Sequence, residues 1–432
     1  MHVIFMHQLF KDPPAGSKIV IEPILFTGPD GKFKIHKAKI AYLYSCMYKY
    51  SELYKLEVLS VEELIQLNPS EILITDPLDR YIEKKWKKLF KSKLQINRQH
   101  PGFILNDYKG PLTLRSVDKE CRRILGVLEG VPSHDENNRN PPDSEMKHYA
   151  PKKYRLDKHI KKAINVVNNK FATHVGDVHA VRYFPTTRNQ ALFRLKKYIK
   201  ERLSEMKYQD AMREGDPWTV HSWISASLNV GLINPEEVVT AVVDSKADMS
   251  SKEGFVRQIT GWRELMKCHY DRVKRKDTGY PDLPSEWYSG KTGIDPLDDC
   301  IIMANQNCYL HHILRLMVCL NIAVLKEFKK ESIYKWFMEM VSIDAYDWVM
   351  FSNIEIMGKY DGNKVMRKPQ ISSSKYIKRM SNYAGGENEN WRKEWDLMYY
   401  TFVENNQERA WFYKNSIGSK RHEELLNPEN VI

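Results

Sequence analysis

The sequence predicts an α/β N-terminal domain, built on a parallel Rossmann-like sheet, followed by an all-α domain. Three observations lead there. Over residues 1–112, short β-branched runs (HVIFM, KIVIEPILF, LEVLSV, EILITD and LQINR) are interspersed with two longer segments, 36–55 and 76–93, whose apolar residues recur at helical spacing. That mixture is the pattern of βαβ units, whose parallel sheet lies under its own crossover helices. From 151 to about 415 nearly every segment has helical spacing, with Trp, Tyr and Met scattered through it. Between the two regions the polar, turn-rich stretch PSHDENNRNPPDSE (132–145) marks a connection. The expected division is 1–112, a connecting segment 113–150, and a helical domain 151–432.

Composition bounds the function. A chain of 432 residues exceeds one typical core, and 42% hydrophobic with 11% aromatic residues is a folded globular composition. A formal net charge of +12 points to a polyanionic partner, with nucleic acid the leading one. Met1 leads straight into a strand-like run, and no run of about 20 apolar residues follows, so a soluble intracellular protein is expected. The six cysteines contain no C-x-x-C and no paired metal-binding spacing, which reads as reduced core thiols. Neither G-x-G-x-x-G nor G-x-x-x-x-G-K-[ST] occurs, so no glycine-rich phosphate loop is supported.

Two basic runs stand out. Lys152, Lys153, Arg155, Lys158, Lys161 and Lys162 lie in KKYRLDKHIKK, and Lys196, Lys197 and Lys200 lie in RLKKYIKERL. Each run is either a solvated helix face or part of a phosphate-binding groove. NCYLHHILRLMV (307–318) sets two adjacent histidines and an arginine in an apolar stretch that reads as a buried helix continuing to 325. Adjacent helical residues point about 100° apart, so only one imidazole is expected to face a given cavity, while Arg315 shares a face with them. A buried arginine needs an anion.

RYFPTTRNQAL (182–192), YQDAM (208–212), HSWISASLNVGLINPEEVV (221–239), EGFVRQITGWRE (253–264), YLHHILRLMV (309–318), DAYDWV (344–349) and KPQISSSKYIKRMSNY (368–383) follow one another in this chain. In order and spacing they resemble the photolyase and cryptochrome superfamily, most closely its iron–sulfur bacterial branch, which includes the prokaryotic (6-4) photolyases. HKAKIAYLYSCMYKY resembles that branch's first helix, so the likeness covers nearly the whole chain.

The resemblance implies FAD, bent, in the helical domain. Its contacts would be His221, Ser222, Ser225, Asn229, Arg263, Glu264, Arg315, Asp344 and Met350. Ser222 and Ser225 would face the phosphates, Asp344 would pair with Arg315, and Met350 would stand beside the flavin N5. His312, Tyr376 and Gln370 would line the lesion pocket, with His311 structural. Trp336, Trp287 and Tyr288 would carry electrons to the flavin. The 1–112 domain would be of the antenna type, leaving room for a second chromophore. The partner would be UV-damaged DNA, met in a DNA-containing compartment by a monomer, with no membrane involved.

The implied activity is a DNA photolyase: a lyase using light and reduced FAD to reverse pyrimidine dimers, the (6-4) photoproduct favoured over the cyclobutane dimer. Two alternatives remain, a cryptochrome-like photoreceptor and a degenerate DNA-binding or structural relative. Several positions depart from the family. Met350 can neither donate a conventional hydrogen bond nor take a proton. Gln370 replaces a pocket aromatic. The four cluster cysteines of the branch align with Pro296, Ala384, Glu387 and about Lys393. No thiolate ligand is available there. Purified protein should therefore contain no stoichiometric iron by elemental analysis and fail to assemble a cluster on reconstitution with iron and sulfide.

Overall fold

The computed structural model describes residues 1–275, 278–341, 343–360, 365–366, 368–383, 390–406 and 408. The apolar runs of the N-terminal region form five short strands: β1 (His2–Phe5), β2 (Lys18–Ile21), β3 (Glu57–Ser60), β4 (Ile72–Thr75) and β5 (Leu94–Asn97). They make one parallel sheet in the order β3-β2-β1-β4-β5. KIVIEPILF divides between two elements. β2 stops at Ile21, and after Pro23 the chain turns into the short helix Ile24–Thr27. Many helices follow the sheet region, as the spacing beyond 151 predicts.

Each crossover helix forms for a local reason. The carboxylate of Asp79 accepts the N–H groups of Tyr81 (2.9 Å) and Ile82 (3.0 Å), capping the helix Arg80–Phe90. Ile82, Trp86 and Phe90, four apart, form its buried face, and the Trp86 indole donates to Glu22 (2.8 Å). The helix Lys37–Tyr54 is different: an unbroken run from Ala38 to Met47 is buried, so that part is enclosed on all sides, Lys39 and Ser45 included. It packs against the helix Lys158–Lys170, and the Lys39 ammonium reaches the carbonyl of Ala345. One continuous hydrophobic core runs from Val3 to Val403. Among the described residues no helix is long and apolar enough to cross a membrane, and the six cysteines are buried free thiols.

The stretch 307–325 departs from the expected single helix. The helix Asp295–Asn307 ends at Cys308, whose φ of 52° is left-handed. Residues 309–311 are non-helical, and helix resumes only at His312. Tertiary hydrogen bonds hold this break open: Ile343 N–H to the Cys308 carbonyl (2.8 Å) and His311 N–H to the Pro217 carbonyl (3.1 Å). Local apolar spacing could not reveal either partner.

The sheet region is tied to the helices at Asp347. Its Oδ1 accepts from Arg275 Nη1 (2.8 Å) and the Tyr334 hydroxyl (2.7 Å). Its Oδ2 accepts from the Tyr270 hydroxyl (2.5 Å) and from the backbone N–H of Arg80 (3.3 Å), the first residue of the helix Arg80–Phe90. Asp347 is 1% exposed. Removing one partner from such a buried pair strands the other in a low-dielectric site. Asp347→Ala should lower the unfolding free energy by about 3–5 kcal/mol in urea titrations. Arg98→Ala, which breaks half-exposed pairs with Asp76 and Glu83, should cost no more than about 1 kcal/mol per pair.

Candidate functional site

Four sequence-predicted segments converge beside this anchor. Arg315 Nη1 lies 3.0 Å from Asp344 Oδ1, the two side chains 15% and 6% exposed. Asn229 Nδ2 donates to the Asp344 carbonyl (2.9 Å), and Arg263 Nη1 donates to Asn229 Oδ1 (2.5 Å). Arg315, Asp344, Asn229 and Arg263 thus form one connected polar row. Arg263 is buried, which lowers its guanidinium to about 10. Glu264 turns elsewhere, accepting the N–H groups of Ile104 (3.1 Å) and Leu105 (3.0 Å); burial raises its carboxyl to about 7. Met350 is buried on the helix Asp347–Met357.

The histidines meet at a third one. His221 stacks on His311 with ring centroids 4.5 Å apart and presents its edge to His312 at 5.0 Å. Because His311 precedes the helix, the 100° argument does not separate the two: both rings contact His221. His311 is fully buried, whereas His312 keeps an accessible edge. Burial pushes His221 and His311 well below the ordinary imidazole value, and burial with the Arg315 guanidinium pushes His312 down to about 4. Ser222 and Ser225 are partly exposed on the adjoining turn. Ser225 opens a helix of only five residues, Ser225–Asn229, too short for a large dipole.

The positive charge near that turn comes from residues that the sequence reading missed. Arg202 places its guanidinium 3.6 Å from the Trp223 ring centroid, and Arg194 lies over Tyr154 and Trp223 and donates to the Tyr183 carbonyl. Arg194 Nη1 and Arg202 Nε are buried without a hydrogen-bond partner, and among the described residues neither arginine forms a salt bridge. Burial lowers both, Arg202 to about 10. Further buried orphans are His221 Nε2, both ring nitrogens of His311, and Arg263 Nε. Buried polar groups are ordinarily satisfied. Cations and open polar atoms beside aromatic faces suit a phosphate-bearing heteroaromatic ligand. A narrow crevice, with His7, Asp79, His100, Phe103, Arg263 and Trp348 among its lining residues, lies between the sheet region and this row.

Tyr376 and Gln370 are partly buried. Tyr376 lies in the field of Asp210 and Arg139, and His312 in that of Asp135. Arg139 contacts both Asp135 and Asp210, so residues of the 113–150 connection border the same region. Trp336 is fully buried, donates its indole N–H to the Trp287 carbonyl (2.7 Å), and meets the Trp287 ring edge-on at 5.3 Å. Tyr288, next in the chain, is partly exposed.

The basic runs separate into two surfaces. Lys152, Lys153 and Arg155 are exposed beside Tyr154, whose ring receives Arg194 of the helix Arg188–Glu201, and that helix also carries exposed Lys196 and Lys200. Lys161 and Lys162 are exposed on the helix Lys158–Lys170, with the Lys162 ammonium 4.2 Å from the Tyr48 ring centroid. Lys158 pairs with Glu52 (2.6 Å) and Lys197 with Glu201 (3.8 Å), which offsets part of the field. Of the positions aligned with cluster cysteines, Pro296 and Lys393 bear no thiol, and Ala384 and Glu387 lie outside the described residues.

Comparison with known proteins finds likenesses in both sequence and fold. Residues 128–183 match the family described as deoxyribodipyrimidine photo-lyase-related protein. The chain is 28% identical over 399 residues to a (6-4) photolyase of Agrobacterium fabrum, covering 81% of this chain and 78% of that protein. A stretch of 78 residues is 44% identical to the uncharacterized protein R855 of Acanthamoeba polyphaga mimivirus, covering 18% of this chain and 61% of that one. Among solved structures, the fold is similar to a cryptochrome of Synechocystis sp. PCC6803 (TM-score 0.58, 13% identity, 98% and 93% of the two chains). It is also similar to an archaeal photolyase of Sulfolobus tokodaii (TM-score 0.55, 13% identity, 100% of both). In fold the chain is thus similar to a cryptochrome and a photolyase, and in sequence to a bacterial (6-4) photolyase.

The three imidazoles set a pH dependence. Their folded pKa values lie below the unfolded value of about 6.5, so between pH 6.5 and 4 the unfolded chain binds more protons. Stability is complete above that window. It falls as pH drops through it, by about 1.4 kcal/mol per pH unit for each histidine held neutral. Urea unfolding of wild type and His311→Asn at pH 7 and pH 5 checks this. The variant should lose about one proton's worth of slope, and an unchanged slope would show that His311 is not held neutral.

Proposed function

We propose that this protein is a DNA photolyase that uses light and FAD to reverse UV-induced pyrimidine dimers, with the (6-4) photoproduct favoured over the cyclobutane dimer. The observation that carries this reading is the Arg315–Asp344 pair with His312 one helical turn away, inside a row continued by Asn229 and Arg263. Reduced FAD, when bound, supplies the light-driven electron that opens the lesion.

The chain's own groups do the rest. Arg315, Asn229 and Arg263 present fixed donors to the polar edge of the ring system, and Asp344 holds Arg315 in place. Arg194 and Arg202 neutralise the phosphates, joined by the hydroxyls of Ser222 and Ser225. His312, neutral at rest, offers one ring N–H and one ring nitrogen lone pair toward a flipped-out lesion, and Tyr376 and Gln370 border it. Lys152, Lys153, Arg155, Lys196 and Lys200 contact phosphates of the damaged strand. The 1–112 region is where a second, antenna chromophore would sit. We divide the chain as 1–112, 113–150 and 151–432, and propose that no iron–sulfur cluster is bound.

A photoreceptor is the second reading, favoured by Met350, whose thioether gives a bound flavin no proton and no conventional hydrogen bond. Illuminating reduced protein with each lesion separately decides between them. Wild type should repair, and His312→Ala should lower (6-4) repair by about 100-fold or more while FAD and damaged-DNA binding survive. Arg315→Ala should lose FAD and about 3–5 kcal/mol of stability, because the buried Asp344 carboxylate loses its guanidinium partner. Failure of wild type on both lesions, with flavin bound and reducible, would remove the photolyase reading.

A further inference from the structure

Tyr288 follows Trp287 on the short helix Glu286–Ser289. Its hydroxyl donates to Glu339 Oε2 at 3.2 Å and stands 3.4 Å from Asp282 Oδ1. Glu339 is 2% exposed and lies three residues beyond Trp336, on the π-helical turn Phe337–Val341. Its other oxygen, Oε1, accepts the Lys34 N–H (2.7 Å) and faces the Lys335 ammonium at 3.7 Å, while that ammonium also pairs with Asp282. One carboxylate oxygen is thus engaged by the fold, and the other is directed at a phenol. Burial raises the Glu339 carboxyl, which makes it a better proton acceptor than a solvated carboxylate.

This arrangement matters because the two aromatic donors differ chemically. An indole can lose an electron and keep its N–H proton for a time. A phenol that loses an electron becomes a very strong acid, so tyrosine is a usable donor only where a base stands within hydrogen-bond reach. Tyr288 is the outermost of three aromatic residues whose inner members, Trp336 and Trp287, are buried and in edge contact at 5.3 Å.

We propose that Tyr288 is the terminal one-electron donor of the Trp336–Trp287–Tyr288 series and that Glu339 takes its phenol proton, leaving a neutral tyrosyl radical. The oxidant is a photoexcited oxidised flavin, so the inference rests on the flavoprotein reading above. One electron passes from Tyr288 through Trp287 and Trp336 to that acceptor. The O–H bond of Tyr288 breaks, and its proton bonds to Glu339 Oε2, converting carboxylate to carboxylic acid. A soluble thiol later returns one electron to Tyr288, becoming a thiyl radical and releasing its own proton to water, and the proton held on Glu339 moves back to the phenolate oxygen. The buried carboxylate is neutralised at the moment the phenol would otherwise turn cationic, so no isolated charge is left in the interior.

The test has two arms. In the first, the flavoprotein is illuminated without reductant and frozen, and its radical is typed by electron paramagnetic resonance. In the second, a ruthenium photo-oxidant is attached through Ser285→Cys, an exposed position, the six native cysteines being buried. This arm needs no flavin. Both arms should give a neutral tyrosyl radical that disappears in Tyr288→Phe. Glu339→Gln keeps an oxygen for the Lys34 N–H but is a far weaker base. It should slow radical formation by about 100-fold or more and abolish the solvent deuterium isotope effect seen in wild type. Tyr288→Trp should restore oxidation, now as an indole radical indifferent to Glu339, so the proposal stays testable if Glu339→Gln does not fold. A tyrosyl radical that persists in Tyr288→Phe overturns the proposal, as does wild-type oxidation kinetics in Glu339→Gln. A radical in the ruthenium arm from protein that binds no flavin would sink the flavoprotein reading while supporting the Tyr288–Glu339 couple.

Discussion

A single carboxylate, Asp347, sets the geometry on which the candidate site depends. Four donors from three separate stretches of chain, Arg275, Tyr334, Tyr270 and the backbone of Arg80, end on its two oxygens. A charge this deeply buried is tolerated only when every lone pair is met, which makes the arrangement nearly all-or-none. Asp344 lies three residues before it and Met350 three after, so their positions are inherited from this anchor. Neighbouring Asp79, buried and close to the Asp347 charge, is pushed up to about 8.

A second constraint is backbone geometry. Among the described residues three helical stretches widen into π-helical turns, Gln258–Arg263, Leu314–Leu320 and Phe337–Val341. Each adds a residue to one turn and rotates the remainder of its helix. The first holds Arg263, the second Arg315, and the third Glu339. Such turns are rare and concentrate at functional sites, where re-aiming a side chain matters more than ideal hydrogen bonding. The turn ahead of Ser225 is strained in another way, with Thr219 and Trp223 at φ of 38° and 57°. The Trp223 indole secures it by donating to the Trp218 carbonyl at 2.9 Å.

Much of the fold was legible because its signals are local. β-branched runs became β1 to β5, and the two long amphipathic or apolar segments became helices within a few residues of their expected ends. The Arg315–Asp344 contact was legible only through family likeness, since nothing local links residues 29 apart. The break at Cys308 was hidden because its causes are hydrogen bonds to Ile343 and Pro217. Arg194 and Arg202 were passed over for a different reason: RLKKYIKERL reads as a solvated basic face. Arg194, Tyr198 and Arg202 recur every four residues, however, and share the buried stripe with Ala191 and Leu195. Arginines in phase with apolar residues are a usable warning of a buried cation.

The enclosure of the helix Lys37–Tyr54 on every side has a consequence for the chain during its own synthesis. Its neighbours include the helix Lys158–Lys170 and the backbone at Ala345, which leave the ribosome more than a hundred and about three hundred residues later. Until then a largely apolar nascent helix has only part of its shelter, and the α/β region cannot complete its packing as an independent unit. Such a chain is exposed to misassembly for most of its translation, when holding chaperones are most needed. Slower elongation between residues 54 and 158 would lengthen that exposure without altering the finished molecule.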